Sequence, residues 1–133
     1  MMRIKTLIVE DDIMITFLHK RLLTKHGISC EPLSFLNGKE ALNFLLEETD
    51  KSCLYLILLD LNMPVMNGWE FLDELEKLQI SDRTMVSIVT SSVDRIDVKK
   101  AQNYKVVEMF LTKPLLNLEP IRSIKESLYE KKH

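Results

Sequence analysis

The chain has 133 residues, 46% of them hydrophobic, with 3 Gly, 4 Pro, and 18 Lys and Arg against 20 Asp and Glu. A chain of this length is expected to form one domain that buries about 68% of its unfolded surface, which excludes disorder and a two-domain enzyme with a hinged cleft. The net charge of −2 lacks the basic excess that a nucleic-acid binder needs, so no nucleic acid is expected as partner.

Apolar β-rich runs alternate with segments of helical period. The N-terminal Met1-Met2-Arg3-Ile4-Lys5 has charges interrupting its apolar stretch, unlike a signal peptide. The first strand is expected over Ile4 to Val9 and the first helix over Ile13 to Lys25, with Met14, Leu18 and Leu22 as its repeating apolar positions. Gly27 supplies a helix stop. Ser29 to Phe35 reads as a weaker strand, and Pro32 places it at a sheet edge. A second helix opens at Asn37 and runs to about Glu48, with Ala41, Leu42, Leu45 and Leu46 inward. Leu54 to Leu59 is apolar throughout, as in a central strand covered on both faces; it is also the longest apolar run, far short of the roughly 20 residues that span a bilayer. Trp69 to Leu78 reads as a helix burying Phe71, Leu72, Leu75 and Leu78. Met85 to Val89, Asp94 to Asn103, Val106 to Leu111 and Leu118 to Glu130 complete the pattern as strand, helix, strand, helix. Cys30 and Cys53 form no CxxC motif and read as reduced structural thiols of a cytoplasmic protein. The seven methionines read as core filler, and His19, His26 and His133 have no ligand spacing.

Five βα units of this kind demand a parallel sheet with right-handed crossovers and helices on both faces, a doubly wound α/β fold. Ligand sites in such folds lie beyond the carboxyl ends of the strands. Strand one ends in Glu10-Asp11-Asp12, strand three in Asp60, strand four in Thr90-Ser91-Ser92, and strand five in Thr112-Lys113-Pro114. Two carboxylates about 5 Å apart repel by roughly 3 kcal/mol at an effective dielectric near 20. Glu10, Asp11 and Asp60 would meet if strands one and three pair, and such a cluster takes up a proton or an oxygen-liganded cation such as Mg²⁺. Lys113 and Thr90 opposite them complete a cradle for a phosphoryl group, with Asp60 as a carboxylate nucleophile.

In these residues the chain resembles the receiver domains of two-component response regulators, from Ile4 to about Glu130. The matching pieces are Leu-Ile-Val-Glu10-Asp11-Asp12, Leu-Leu-Asp60-Leu-Asn-Met-Pro64-Val-Met-Asn-Gly68, Val-Thr90-Ser-Ser and Phe110-Leu-Thr-Lys113-Pro114. The resemblance implies a flavodoxin-like sheet of order 2-1-3-4-5, an order carried over with the family, and a single receiver domain over residues 1–133. It implies that Asp60 accepts a phosphoryl group from a sensor histidine kinase or phosphotransfer protein. Mg²⁺, with Mn²⁺ as substitute, would be held by Asp11, Asp60 and the backbone carbonyl of Asn62, with Glu10 holding a metal-bound water. Lys113 and Thr90 would contact phosphoryl oxygens, while Asp12 caps the first helix. Pro64 and Gly68 shape the loop after Asp60, and the bond before Pro114 is cis. Thr90 and Phe110 would form a switch acting on the surface of helix four, strand five and helix five. Ser91, Ser92 and Asn62 would tune dephosphorylation.

Singly, each feature has a plainer reading: acids at a helix N-terminus, a turn-capping Asp60, a solvated Lys113, a core Phe110. Those readings do not explain why acids, hydroxyl and lysine fall at four separate strand ends. A small aspartate-nucleophile phosphatase would want a second acid where Asn62 stands. Flavin or nucleotide binding wants a GxGxxG or P-loop, which three glycines at 27, 38 and 68 cannot make. The phosphatase stays an alternative, as does a receiver-like module that binds partners without phosphorylation, against which the intact set of five residues argues. With no effector segment expected beyond Glu130, output is expected through a protein partner, as a monomer or a phosphorylation-dependent homodimer.

Overall fold

Branched and aliphatic residues at period two or in unbroken runs build five strands, each returned by a helix. In the computed structural model, which describes residues 3–28, 31–91, 93–117 and 119–132, the strands are β1 (Arg3–Val9), β2 (Leu33–Phe35), β3 (Cys53–Leu59), β4 (Thr84–Thr90) and β5 (Val107–Thr112). Between and after them run α1 (Ile13–Lys25), α2 (Gly38–Glu47), α3 (Gly68–Leu75), α4 (Arg95–Ala101) and α5 (Glu119–Lys132). All pairings are parallel and the order is β2-β1-β3-β4-β5, the doubly wound arrangement expected.

The sheet divides the core in two. Leu7, Val9, Tyr55, Ile57, Leu59, Val86 and Ile88 pack with α2, α3 and α4, while Ile8, Leu54, Leu56, Leu58, Met85 and Val89 pack with Leu23 of α1 and Ile121 of α5. Every residue of β3 is buried, as its unbroken apolar run requires.

Helix ends follow their capping residues. The Asp12 carboxylate accepts from the amides of Met14 and Ile15 at 2.9 and 3.3 Å, starting α1 just beyond the strand-one acids. α1 ends in a Schellman motif: Gly27, at φ 70°, donates to Thr24 O while Ile28 donates to Leu23 O. Asn67 and Glu70 close a capping box on α3.

Several expectations need correction. α3 stops at Leu75, not Leu78, and a 3-10 turn over Gln79–Arg83 follows it, burying Ile80 and receiving the Thr84 hydroxyl at Ile80 O. The inner face of α1 is set by His19 and Leu23, whereas Met14 is 74% exposed. Leu46 likewise faces solvent, and Met14 is no core filler. β2 is only three residues long, beginning after Pro32. Cys53 is buried and free; Cys30, Ser29, Ser92, Leu118 and His133 lie outside the described residues. No helix among the described residues is long and apolar enough to cross a membrane.

Candidate functional site

Register brings the strand ends together. Val9 pairs with Leu59, and the Asp60 amide donates to Val9 O at 2.9 Å, so Glu10 and Asp60 follow side by side. Glu10 and Asp60 are both 3% exposed, and Asp11 stands at the surface next to them. One carboxylate oxygen from each of Glu10, Asp11 and Asp60 lies within 4.8 Å of the other two.

Lys113 enters from the far side. Thr90 pairs with Thr112, and the Lys113 amide donates to Thr90 O at 2.8 Å, which starts the β5–α5 loop against β4. From there the ammonium donates to both oxygens of Glu10, at 2.9 and 3.1 Å, and lies 3.4 Å from Asp60 Oδ2. The Lys113–Pro114 bond is cis. Thr90 is buried at the end of β4 beside this loop.

The electrostatics are unbalanced. Burial pushes the Glu10 carboxyl up to about 7; the Lys113 hydrogen bond opposes that rise and the Asp60 charge adds to it. Burial acts to lower the Lys113 ammonium, but the Glu10 hydrogen bond and the Asp60 and Glu10 charges outweigh it and raise its pKa. Among the described residues, one ammonium thus pairs with two acids of a three-acid cluster. The donor set is all oxygen, which suits Mg²⁺ or Mn²⁺ rather than a soft metal, and a divalent ion would offset the remaining negative charge.

The loop after Asp60 is tied down from both sides. The Asn62 amide lies 3.4 Å from Asp60 Oδ1, Gly68 donates to Leu61 O at 3.0 Å, and Gly38 of α2 donates to Met66 O at 3.1 Å. A Cβ on Gly68 would stand 2.6 Å from Asp60 O, so only glycine permits this approach. Pro64 is exposed in the loop, and its neighbour Val65 takes φ 70°, a conformation unfavourable for a β-branched residue.

Comparison with known proteins decides the family: the profile of the response regulator receiver domain matches residues 6–124. The chain is a response regulator receiver domain. It is similar to hybrid signal transduction histidine kinase I of Dictyostelium discoideum, 31% identical over 113 residues, covering 84% of this chain and 6% of the kinase. It is also similar to the transcriptional regulatory protein CpxR homolog of Haemophilus influenzae, 37% identical over 92 residues, covering 69% of this chain and 37% of that protein. This receiver therefore spans well under half the length of those two relatives. Among solved structures, the response regulator receiver protein of Dyadobacter fermentans superposes with a TM-score of 0.85 at 26% identity, covering 95% of this chain and 98% of that one.

Within this receiver, the site residues read from the sequence occupy one rim: Glu10, Asp11, Asp60, Thr90 and Lys113, with Asn62, Pro64 and Gly68 in the adjoining loop. Phe110 lies farther along β5, opposite Ile88, half-buried beside a hollow of about 200 Å³ that Val98, Ala101 and Gln102 of the α4 region also line. Sequence reasoning missed His19. It is buried, and its Nε2 accepts the Leu115 amide at 3.1 Å. The available signal was an uncharged stripe, Thr16, His19 and Leu23, on a helix whose charged residues Lys20, Arg21 and Lys25 lie off it.

Proposed function

We propose that this receiver is the phospho-acceptor of a two-component or phosphorelay pathway, with Asp60 as the residue modified. The observation that carries the reading is the placement of the Lys113 ammonium between Glu10 and Asp60, at the rim where the three acids converge. Asp60 would attack the phosphorus of a phosphohistidine on a kinase or phosphotransfer protein. A P–O bond forms to one carboxylate oxygen, the P–N bond breaks, and the electron pair leaves with the imidazole nitrogen, which then takes a proton.

Glu10, Asp11, Asp60 and the Asn62 carbonyl are the groups that would hold Mg²⁺. The ion would neutralise charge on the acids and on the phosphoryl oxygens. Lys113, already aimed at Asp60, would move from Glu10 onto a phosphoryl oxygen as a fixed positive charge. The Thr90 hydroxyl would donate to a second oxygen. Transfer on this scheme is positioning and charge neutralisation, with no other substrate turned over, so the chain is a signalling domain rather than an enzyme.

Around the mouth, Ile13, Met14 and Phe17 of α1 are each at least 60% exposed and offer an apolar rim to the donor protein. Output would run from Thr90 to Phe110, whose half-buried ring borders the hollow beside α4, and so to the α4-β5-α5 face and a protein partner. With a sensor kinase as donor, this receiver would act in the cytoplasm.

Intact-mass measurement after incubation with acetyl phosphate and Mg²⁺ tests the proposal. One added phosphoryl is expected, labile to base, absent without metal and absent in Asp60→Asn. A wild-type chain that stays unmodified, or steady turnover of a phosphate ester without modification, overturns it.

A further inference from the structure

The β5–α5 loop that carries Lys113 has three anchors, and two of them belong to the site itself. The Lys113 amide donates to Thr90 O at 2.8 Å, and its ammonium to Glu10. The third comes from outside: two residues on, the Leu115 amide donates to Nε2 of His19 at 3.1 Å, on a helix 96 residues away in sequence. Both ends of this bond are enclosed, His19 being 2% exposed and Leu115 4%.

The imidazole suits this task. Burial, with the nearby Lys113 charge adding to it, lowers its pKa to about 4, so the ring is neutral under physiological conditions. A neutral ring accepting at Nε2 carries its proton at Nδ1 and has one lone pair to offer. An aliphatic side chain at this place would strand the Leu115 amide in an apolar layer of Leu23, Ile28 and Ile121.

We infer that His19 is a positioning residue for phosphoryl transfer: by holding the Leu115 amide it fixes the loop that aims Lys113 at Asp60. The role rests on the reading of Asp60 as phospho-acceptor. Small displacements of a charged group at a reacting centre cost large factors in rate, whereas the acids that would bind metal follow β1 and β3 and are not carried by this loop.

The test uses the full chain with acetyl phosphate and Mg²⁺, following initial rates by intact mass. His19→Leu removes the acceptor at similar bulk and is expected to slow phosphorylation about tenfold. His19→Gln, which retains an acceptor at similar reach, is expected within about twofold of wild type. In the Lys113→Ala background His19→Leu is expected to slow the reaction no further, because the two residues act as one unit. Exchange of the Leu115 amide is expected to be slow in wild type and His19→Gln, and fast in His19→Leu. Should His19→Leu fail to fold, His19→Asn, whose amide is too short to reach Leu115, carries the same expectation. Full-rate phosphorylation of the acceptor-less variant, a His19→Gln as slow as His19→Leu, or losses that multiply in the Lys113→Ala background would each overturn the role of His19 alone. A wild-type chain that takes up no phosphoryl group would overturn the reading of Asp60, and this role with it.

Discussion

The ammonium of Lys113 sits closer to Glu10, at 2.9 Å, than to Asp60, at 3.4 Å. Its charge is shared between two buried carboxylates, and Asp11 adds a third nearby. This sharing governs how the domain responds to metal, pH and substitution.

Among the described residues, removing the shared cation leaves Glu10 and Asp60 buried without a counter-charge. Lys113→Ala should therefore lose about 3 kcal/mol of stability when Mg²⁺ is withheld, the cost of stranding one side of a buried ion pair. Added Mg²⁺ should restore more stability to this variant than to wild type, because no ammonium competes for the acids. Thermal unfolding with EDTA and with Mg²⁺ checks both; a variant indifferent to metal would contradict the expectation.

Glu10 also sets a pH dependence. Its folded pKa of about 7 lies above the ordinary 4.5, so between those values the native state holds a proton the unfolded chain has lost. The contribution of Glu10 to stability without metal therefore falls as pH rises from about 4.5 to about 7. Glu10→Gln should lack that fall and should bind Mg²⁺ more weakly. His19, buried with a pKa near 4 against an ordinary 6.5, contributes the opposite slope, losing stability as pH drops through that window. It does so in both proteins, so the difference between their urea denaturation curves at pH 5 and pH 7.5 isolates Glu10.

Strain in the loop after Asp60 is a third handle. Val65 is 80% exposed at φ 70°, so its side chain contributes little packing while its backbone is unfavourable. Strain of this kind costs roughly 1–3 kcal/mol, and glycine returns about 0.5–1 kcal/mol of it through unfolded-state entropy. Val65→Gly should thus gain about 1 kcal/mol, seen as a higher melting temperature. An unchanged or lower melting temperature would show that the loop relaxes without it.

Ser87 lies fully buried in β4, and among the described residues its hydroxyl has no hydrogen-bond partner. A buried hydroxyl without a partner costs about 1 kcal/mol or more, which alanine removes at the loss of one small atom. Ser87→Ala is expected to be as stable as wild type or more so in chemical denaturation; a loss of more than about 1 kcal/mol would mean the hydroxyl is satisfied.

What the sequence disclosed and what it hid follow from the same physics. The strand ends were legible because β1, β3, β4 and β5 stop where apolar runs meet Glu10, Asp60, Ser91 and Lys113, and parallel topology brings those ends to one rim. Asp12 was legible as a cap because carboxylates satisfy free amides at helix starts. The inner face of α1 was not. Ile13, Met14, Ile15, Phe17, Leu18, Leu22 and Leu23 make that helix apolar nearly all round, so spacing alone cannot tell Leu22 from Leu23. The fully buried His19 sat on the face that this ambiguity concealed. The turn over Gln79–Arg83 was hidden as well, since it is held by local bonds such as Thr84 Oγ1 to Ile80 O rather than by any periodicity.

The most direct test of the central claim is chemical trapping of the modified residue. After phosphorylation in the presence of Mg²⁺, borohydride reduction converts an aspartyl phosphate to homoserine, which peptide mass spectrometry locates. The account predicts homoserine in place of Asp60 and nowhere else. Homoserine at Asp11 or at another aspartate, with Asp60 intact, would contradict it.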